Sequence, residues 1–595
     1  MKKISILTLL MAVATIANAV PAKPGWQKRT QADGTTIDVQ LVGDEFYHYY
    51  INKEGQEVRL NKAGMFEVLA DQPSPAERQA RRAKAVAHRQ HKAFGVQPNL
   101  APRGVVILAN FQDQAMLPAH TKAVFDELCN STNCTVNKYE GVKYGSAAEY
   151  FADQSNGAYR PIFDVYGPVT LSKDYSYYGH NIVVNGESTD EYATDAVIEA
   201  CLLANQQYDI DFKQYDSDND GYVDFVYLIY AGLGEASDGD ENTIWPHNWS
   251  IQAVIQSSQY PSVYSSLQTK IDGVYLDTYA CSNEIESNAL CGIGTLCHEF
   301  GHVMGLPDFY DTSYGKNDKN KLTPSQWDIM DVGSYNGDAH CPPNYDPWEK
   351  YFFGWVDPFN PGDQPMRAEL HPNGTPNYAV LQINDAGEKK AACQAGRSYY
   401  LENRQQVGWD TYLPAHGMLI WVVKYNAEAW MGNTPNNTPD NPKFTLVCSE
   451  GTQVGSWNAQ GNVFGGDNPS ATSWDFFEEK PVTDIRESEG VIFANYIADT
   501  TAFTVAWLAD GDTVEARKYG FEPLQLPATQ TNVNSKPSNA KQQSANDIVP
   551  CEGVEILGWT EETEWYDPFV NPDDLFTTTE RKMVRKNTTY RALFK

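Results

Sequence analysis

The chain has 595 residues, too many for one compact core, and at about 150 residues per domain it should hold three to four units. Its 42% hydrophobic and 12% aromatic content is enough to build sizeable cores, which excludes a disordered chain. Seventy-seven acids against 45 bases give a net charge of −32, which repels phosphate backbones and excludes nucleic-acid binding as a main role.

The first nineteen residues read as an export signal. Lys2 and Lys3 precede a largely apolar run, Ile4 to Ile16, and Ala17-Asn18-Ala19 forms an A-x-A cleavage site. The mature chain is therefore expected outside the cytoplasm: secreted, at the cell surface or periplasmic. No later apolar run reaches membrane-span length. Of the ten cysteines, Cys129 and Cys134 enclose a short polar loop and make the simplest disulfide to propose in an oxidising compartment. No C-x-x-C pair occurs, which leaves a cysteine-type zinc site without support.

Residues 20 to about 75 alternate short β-type runs (TTIDVQLV, EFYHYYIN, QEVRLN, MFEVLA) with turns such as ADG, KEG and KAG, a small antiparallel unit. From Pro75 to Lys92 the chain is basic and Ala/Gln-rich, an exposed connector open to proteolysis. Residues 20–92 are thus expected to be a pro-region with a basic linker at its end. GVVILANF (104–111) and FVYLIYAG (225–232) read as buried strands, and Ser188-Thr189-Asp190-Glu191 resembles a capping box ahead of an apolar-periodic helix. Mixed strands and helices suggest an α+β domain over 100–355. Beyond it, runs such as GMLIWVVKY and AFTVAWL with Gly/Pro/Asn turns suggest a β-rich domain over 356–510. Residues 528–547 read as a flexible linker, and 548–595 as a C-terminal tail.

The chemistry concentrates in His298-Glu299-Phe300-Gly301-His302. On a helix, residues four apart share a face, so both imidazoles can reach one metal while Glu299 contacts its water without ligating. Gly305 suits a left-handed helix end, Pro307 prevents the helix resuming, and Asp308 can swing back to the same metal. Zinc held by His298, His302 and Asp308 would keep a position open for water, with Glu299 as general base for peptide hydrolysis. Downstream, Trp327-Asp328-Ile329-Met330 places a methionine in a tight turn, like the Met-turn of metzincins.

CHEFGHVMGLPDFYD followed by WDIMDVGSYNG resembles the immune-inhibitor-A-like metallopeptidases, the M6 family of secreted bacterial zinc proteases. SAAEYFADQSNGAY (146–159), YDSDNDGYVDFVYLIYAG (215–232), IWPHNW (244–249) and YYLENRQQVGWD (399–410) are similar to that family as well. The resemblance implies a multidomain chain: a metzincin-like α+β catalytic domain with a mixed sheet and an active-site helix, one zinc, and endopeptidase activity on protein or peptide substrates. Tyr335, five residues past the turn methionine, is a candidate for hydrogen bonding the oxyanion.

A second cation is suggested by Asp216-Ser217-Asp218-Asn219-Asp220-Gly221-Tyr222-Val223-Asp224, whose oxygens alternate around a Gly-enabled bend. Asp216, Asp218, Asp220, Tyr222 (through its carbonyl) and Asp224 would hold a structural calcium. Position twelve is Tyr227, which departs from the bidentate Glu of an EF-hand. The leading reading is a secreted zinc endopeptidase made as a zymogen. Two others compete: a secreted, calcium-stabilised binding protein on a non-catalytic protease scaffold, and a zinc hydrolase acting on a non-peptide bond. No cysteine precedes Cys129, so latency is expected from a carboxylate such as Asp44 or Glu45, or from steric cover. Nothing in the sequence sets an oligomeric state.

Overall fold

The computed structural model describes residues 20–44, 48–61, 63–70, 72, most of 102–449 (without 185–186, 238, 258–259, 313–322, 385–387, 439–440 and 448), 463–466, 471, 480–497, and strands at 503–509, 512–519, 556–561 and 588–594. The export signal, Glu45, the basic connector and the 528–547 linker lie outside these residues. The chain divides into two compact units of mixed α+β and β structure. The first comprises 1–359, 372–384 and 390–463; the second comprises 360–371, 385–389 and 464–595.

The first unit opens with a five-stranded antiparallel meander: Gln27–Thr30, Thr36–Gly43, His48–Ile51, Glu57–Leu60 and Phe66–Val68, paired in sequence order. Val39, Leu41 and Val58 are buried, as period-two alternation requires of a sheet with one covered face.

The central sheet runs in the order His247–Ser250, Thr278–Glu286, Val226–Leu233, Arg103–Asn110, Ile162–Thr170, with Ala289–Leu290 beside the second of these. Three neighbouring pairs are parallel (Val226 with Tyr279 and with Val105, Val105 with Asp164), and the His247 edge is antiparallel. Val105 to Ala109 and Val226 to Ala231 are buried throughout, which is why these segments read as unbroken apolar runs. The helix expected near Ser188 begins later, at Ala193, and runs to Tyr208 with no side-chain cap. Residues 187–190 instead form a strand paired with Asn181–Val184, and the Asp190 carboxylate accepts the Trp245 N–H. Cys129 and Cys134 are both buried free thiols, in contrast to the disulfide suggested by their spacing.

The helix Gly294–Val303 carries the motif. Phe300 fixes it to the sheet: its ring meets Phe151, Phe163 and Phe225 edge-on, each at 5.2 Å between centroids. The first unit also extends beyond residue 355, where a separate β domain was expected. A four-stranded antiparallel sheet (Leu381–Asn384, Gly396–Arg404, Gly417–Tyr425, Phe444–Leu446) shares its core. Arg404 explains the continuity. Wholly buried, it pairs with Asp410 at 2.6 Å and Glu402 at 3.2 Å and donates to the Trp327 and Asn344 carbonyls. A guanidinium this deep needs every donor answered, and the answers come from both segments. Trp421 and Trp430 are buried in the same core.

Among the described residues, the second unit holds two sheets. One pairs Val491–Tyr496 with Met366–Leu370 and Val482–Ser488; the other runs Asp512–Tyr519, Phe503–Ala509, Thr588–Phe594, Ile556–Glu561. The C-terminal tail therefore contributes two strands.

Candidate metal centre and peptide cleft

His298, Glu299, His302 and Asp308 are all buried. The Gly294–Val303 helix ends as its sequence dictates: Gly305 takes φ +107°, and the Leu306 N–H returns to the Gly301 carbonyl at 3.0 Å. This turn brings Asp308 back over the helix. His298 Nε2 and His302 Nε2 lie 3.1 Å apart, and each lies 3.3 Å from Asp308 Oδ1. Zinc bonds of about 2.0–2.1 Å in a tetrahedron set ligand atoms roughly 3.3 Å apart, so this triangle fits such an ion. Both Nδ1 atoms face backbone carbonyls, His298 that of Ile329 at 2.6 Å and His302 that of Leu306 at 2.8 Å. The Nδ1–H donates there, which leaves each Nε2 lone pair aimed at the shared point. Burial depresses the His302 pKa, keeping the ring neutral. Burial would raise Asp308, but the two imidazoles outweigh it and hold the carboxyl below its usual range.

Two contacts that the motif does not encode complete the site. Asn433, buried and 125 residues downstream, donates Nδ2–H to Asp308 Oδ2 at 2.6 Å and accepts the Asp308 N–H at 2.7 Å. Met330 lies beneath the helix, where a Cβ on Gly301 would come within 2.6 Å of its sulfur, so the turn and the helix approach this closely only because residue 301 has no side chain. The second contact is with Val20. Its N–H donates to Glu299 Oε1 at 3.1 Å, the Trp245 indole donates to the Val20 carbonyl at 3.2 Å, and Tyr335 donates its hydroxyl to the Pro21 carbonyl at 2.8 Å. The meander is seated by His48, which stacks on Trp245 at 4.6 Å and pairs with Glu235 at 3.3 Å.

Elsewhere the structure brings together carboxylate oxygens of Asp216, Asp218 and Asp224 within 4.8 Å. Asp220 stands outside that group, accepting the Tyr222 N–H at 2.8 Å, and Tyr222 bridges to Tyr275. Gly221 takes φ +92°, the bend that the spacing called for. A third convergence, which sequence reading missed, lies below the Met330 turn: Asp328, Asp346 and Glu349, all buried, again with oxygens within 4.8 Å. Burial raises all three; repulsion within the group adds to it for Asp328 and Glu349, and the nearby Glu402 carboxylate adds to it for Asp346, which is raised to about 7. Without a cation, such a group must retain protons.

The family model described as "Immune inhibitor A peptidase M6, catalytic domain" matches residues 107–355. Over those residues the chain is similar to M6 peptidases. The chain is similar to "Immune inhibitor A" of Bacillus thuringiensis subsp. alesti, 25% identical over 235 residues, covering 36% of this chain and 32% of that protein. It is similar also to "Pre-pro-metalloprotease PrtV" of Vibrio cholerae serotype O1 (strain M66-2), 26% identical over 230 residues, 36% of this chain and 24% of that one. The chain thus spans a third or less of the length of these relatives. No helix among the described residues is long and apolar enough to cross a membrane.

Two measurements check this geometry. Asn433→Ala removes the group that orients Asp308 and should lower metal affinity about 10–100-fold, read by competition with a chromogenic chelator. The raised Asp346 pKa means that the folded chain holds a proton the unfolded chain gives up above about pH 4. Stability in chelator should therefore fall as pH rises from about 4 to 7. Asp346→Asn, which still accepts the Trp348 and Glu349 N–H groups through its amide oxygen, should narrow the difference in melting temperature between pH 5 and pH 7.5.

Proposed function

We propose that the chain is a zinc-dependent endopeptidase with a metzincin-like centre, exported by a cleaved signal peptide and made as a zymogen. The observation that carries this reading is the triangle of His298, His302 and Asp308 with Glu299 beside it. Zinc held there would polarise a peptide carbonyl and lower the pKa of its water towards about 7. The chain's own residues supply the rest. Glu299 is the general base, taking a proton from the attacking water and returning it to the leaving amine. The main-chain nitrogen of Val20 sits against Glu299 Oε1, which is where such an amine would depart. Tyr335 reaches a main-chain carbonyl of the same segment and is assigned to holding the substrate backbone. Met330, close under Gly301, fits the metzincin comparison.

Latency follows from the same contacts. A substrate cannot reach Glu299 while Val20 and Pro21 occupy its approach, so steric cover by residues 20–23 accounts for a silent precursor. Asp44 is buried, with its carbonyl facing His48 Nδ1, and no carboxylate is needed at the metal. The relative named a pre-pro-metalloprotease is consistent with a precursor of this kind. An intact Glu299 argues against a binding protein on a spent scaffold, since hydrolysis is what uses that carboxylate. Calcium in the acidic loop is a separate proposal, supported by the convergence of Asp216, Asp218 and Asp224.

Casein zymography should show clearing that a zinc chelator abolishes. Glu299→Gln should lose that activity by several orders of magnitude while retaining zinc by mass spectrometry; retained turnover would remove Glu299 from the mechanism. For the loop, Asp218→Ala with Asp220→Ala should lower the melting temperature in calcium but not in chelator. Equal shifts in both conditions would make the loop a solvated turn.

A further inference from the structure

The segment that covers Glu299 runs on from Val20 through Pro21 and Ala22 to Lys23, and Lys23 ends in a formed cage. Its ammonium donates to Glu286 Oε1 at 2.5 Å, Asp338 Oδ1 at 2.7 Å and Ser287 Oγ at 2.9 Å. The cage is built without the lysine. Glu286 is 4% exposed, and its other oxygen accepts from Ser237 Oγ at 2.7 Å and Asn283 Nδ2 at 3.2 Å. Ser287 Oγ also donates to Asp338 Oδ1 at 3.0 Å. Burial works against the charge on Lys23, yet the two carboxylates hold its pKa above the ordinary lysine value. Two carboxylates fixed this close together repel each other unless a cation lies between them. A lysine or arginine side chain supplies one.

The direction of the segment gives the cage its meaning. Glu299, as general base, hands its proton to the nitrogen released from the scissile bond, and the nitrogen it touches here is that of Val20. The chain beyond that nitrogen therefore lies on the leaving-amine side, as a product would. Its main chain is held along the way: the Val20 carbonyl by Trp245, the Pro21 carbonyl by Tyr335, and the Lys23 N–H by the Ala236 carbonyl at 2.7 Å. Resting on the peptidase reading, we propose that Glu286, Asp338 and Ser287 form a substrate subsite for a basic side chain, the fourth residue after the cleaved bond, and that Lys23 occupies it in the precursor as a product mimic.

Lys23→Glu in the full chain should vacate the subsite by repulsion. On quenched fluorescent peptides that differ only at the fourth residue after the cleaved bond, this variant should show kcat/KM at least tenfold higher for Lys or Arg than for Ala, and lowest for Glu. Adding Asp338→Asn should narrow that ratio several-fold. Isothermal titration gives a readout independent of turnover: the peptide Val-Pro-Ala-Lys should bind the variant at least tenfold more tightly than Val-Pro-Ala-Glu. Equal kcat/KM across the series and equal affinities, with hydrolysis still sensitive to chelator, would overturn the subsite and leave the peptidase standing, the cage being only a dock for the pro-region. No chelator-sensitive hydrolysis of any peptide would overturn both.

Discussion

Two imidazole Nε2 atoms 3.1 Å apart in a fully buried site can both turn a lone pair to one cation only if neither carries a proton at that nitrogen. That condition governs the rest of the molecule. It is met by the carbonyls of Ile329 and Leu306, which hold each Nδ1–H and turn the Nε2 lone pairs inward. The Ile329 carbonyl belongs to the turn that carries Asp328 and Met330, and that turn is braced by Arg404 through the Trp327 carbonyl. The Leu306 carbonyl is available because Gly305 lets the chain leave the helix sharply. Tautomer, turn and brace form one dependency, which is why the compact unit cannot stop at residue 355.

How much of this the sequence disclosed depended on distance along the chain. His298, His302, Gly305 and Asp308 lie within one helix and its exit, so spacing alone placed them at one point. The central strands were legible because burial on both faces leaves unbroken apolar runs. Asn433 gave no such signal: a lone Asn more than a hundred residues away looks like any loop residue until the fold delivers it. That the compact unit runs on past residue 355 was not legible for the same reason, since short β runs with Gly and Pro turns do not say which core they join. The capping-box reading of Ser188 failed because a local pattern lost to tertiary pairing, with Asp190 used by the Trp245 N–H.

The N-terminal segment illustrates a different limit. Composition marked residues 20–92 as a separable unit, but nothing in Val20-Pro21-Ala22-Lys23 announces a contact with Glu299. The residue that follows Ala17-Asn18-Ala19 is the one whose nitrogen meets the Glu299 carboxylate, a contact that no local sequence pattern encodes.

The pairing order of the meander also has a kinetic meaning. Its five strands pair only with sequence neighbours, so each closure spans a few residues. The central sheet must bring Val226 beside Val105 and Tyr279 beside Val226, closures of far longer loops. Local pairings of the first kind form faster than distant ones. By sequence separation alone, the meander is therefore expected to pair before the central sheet does.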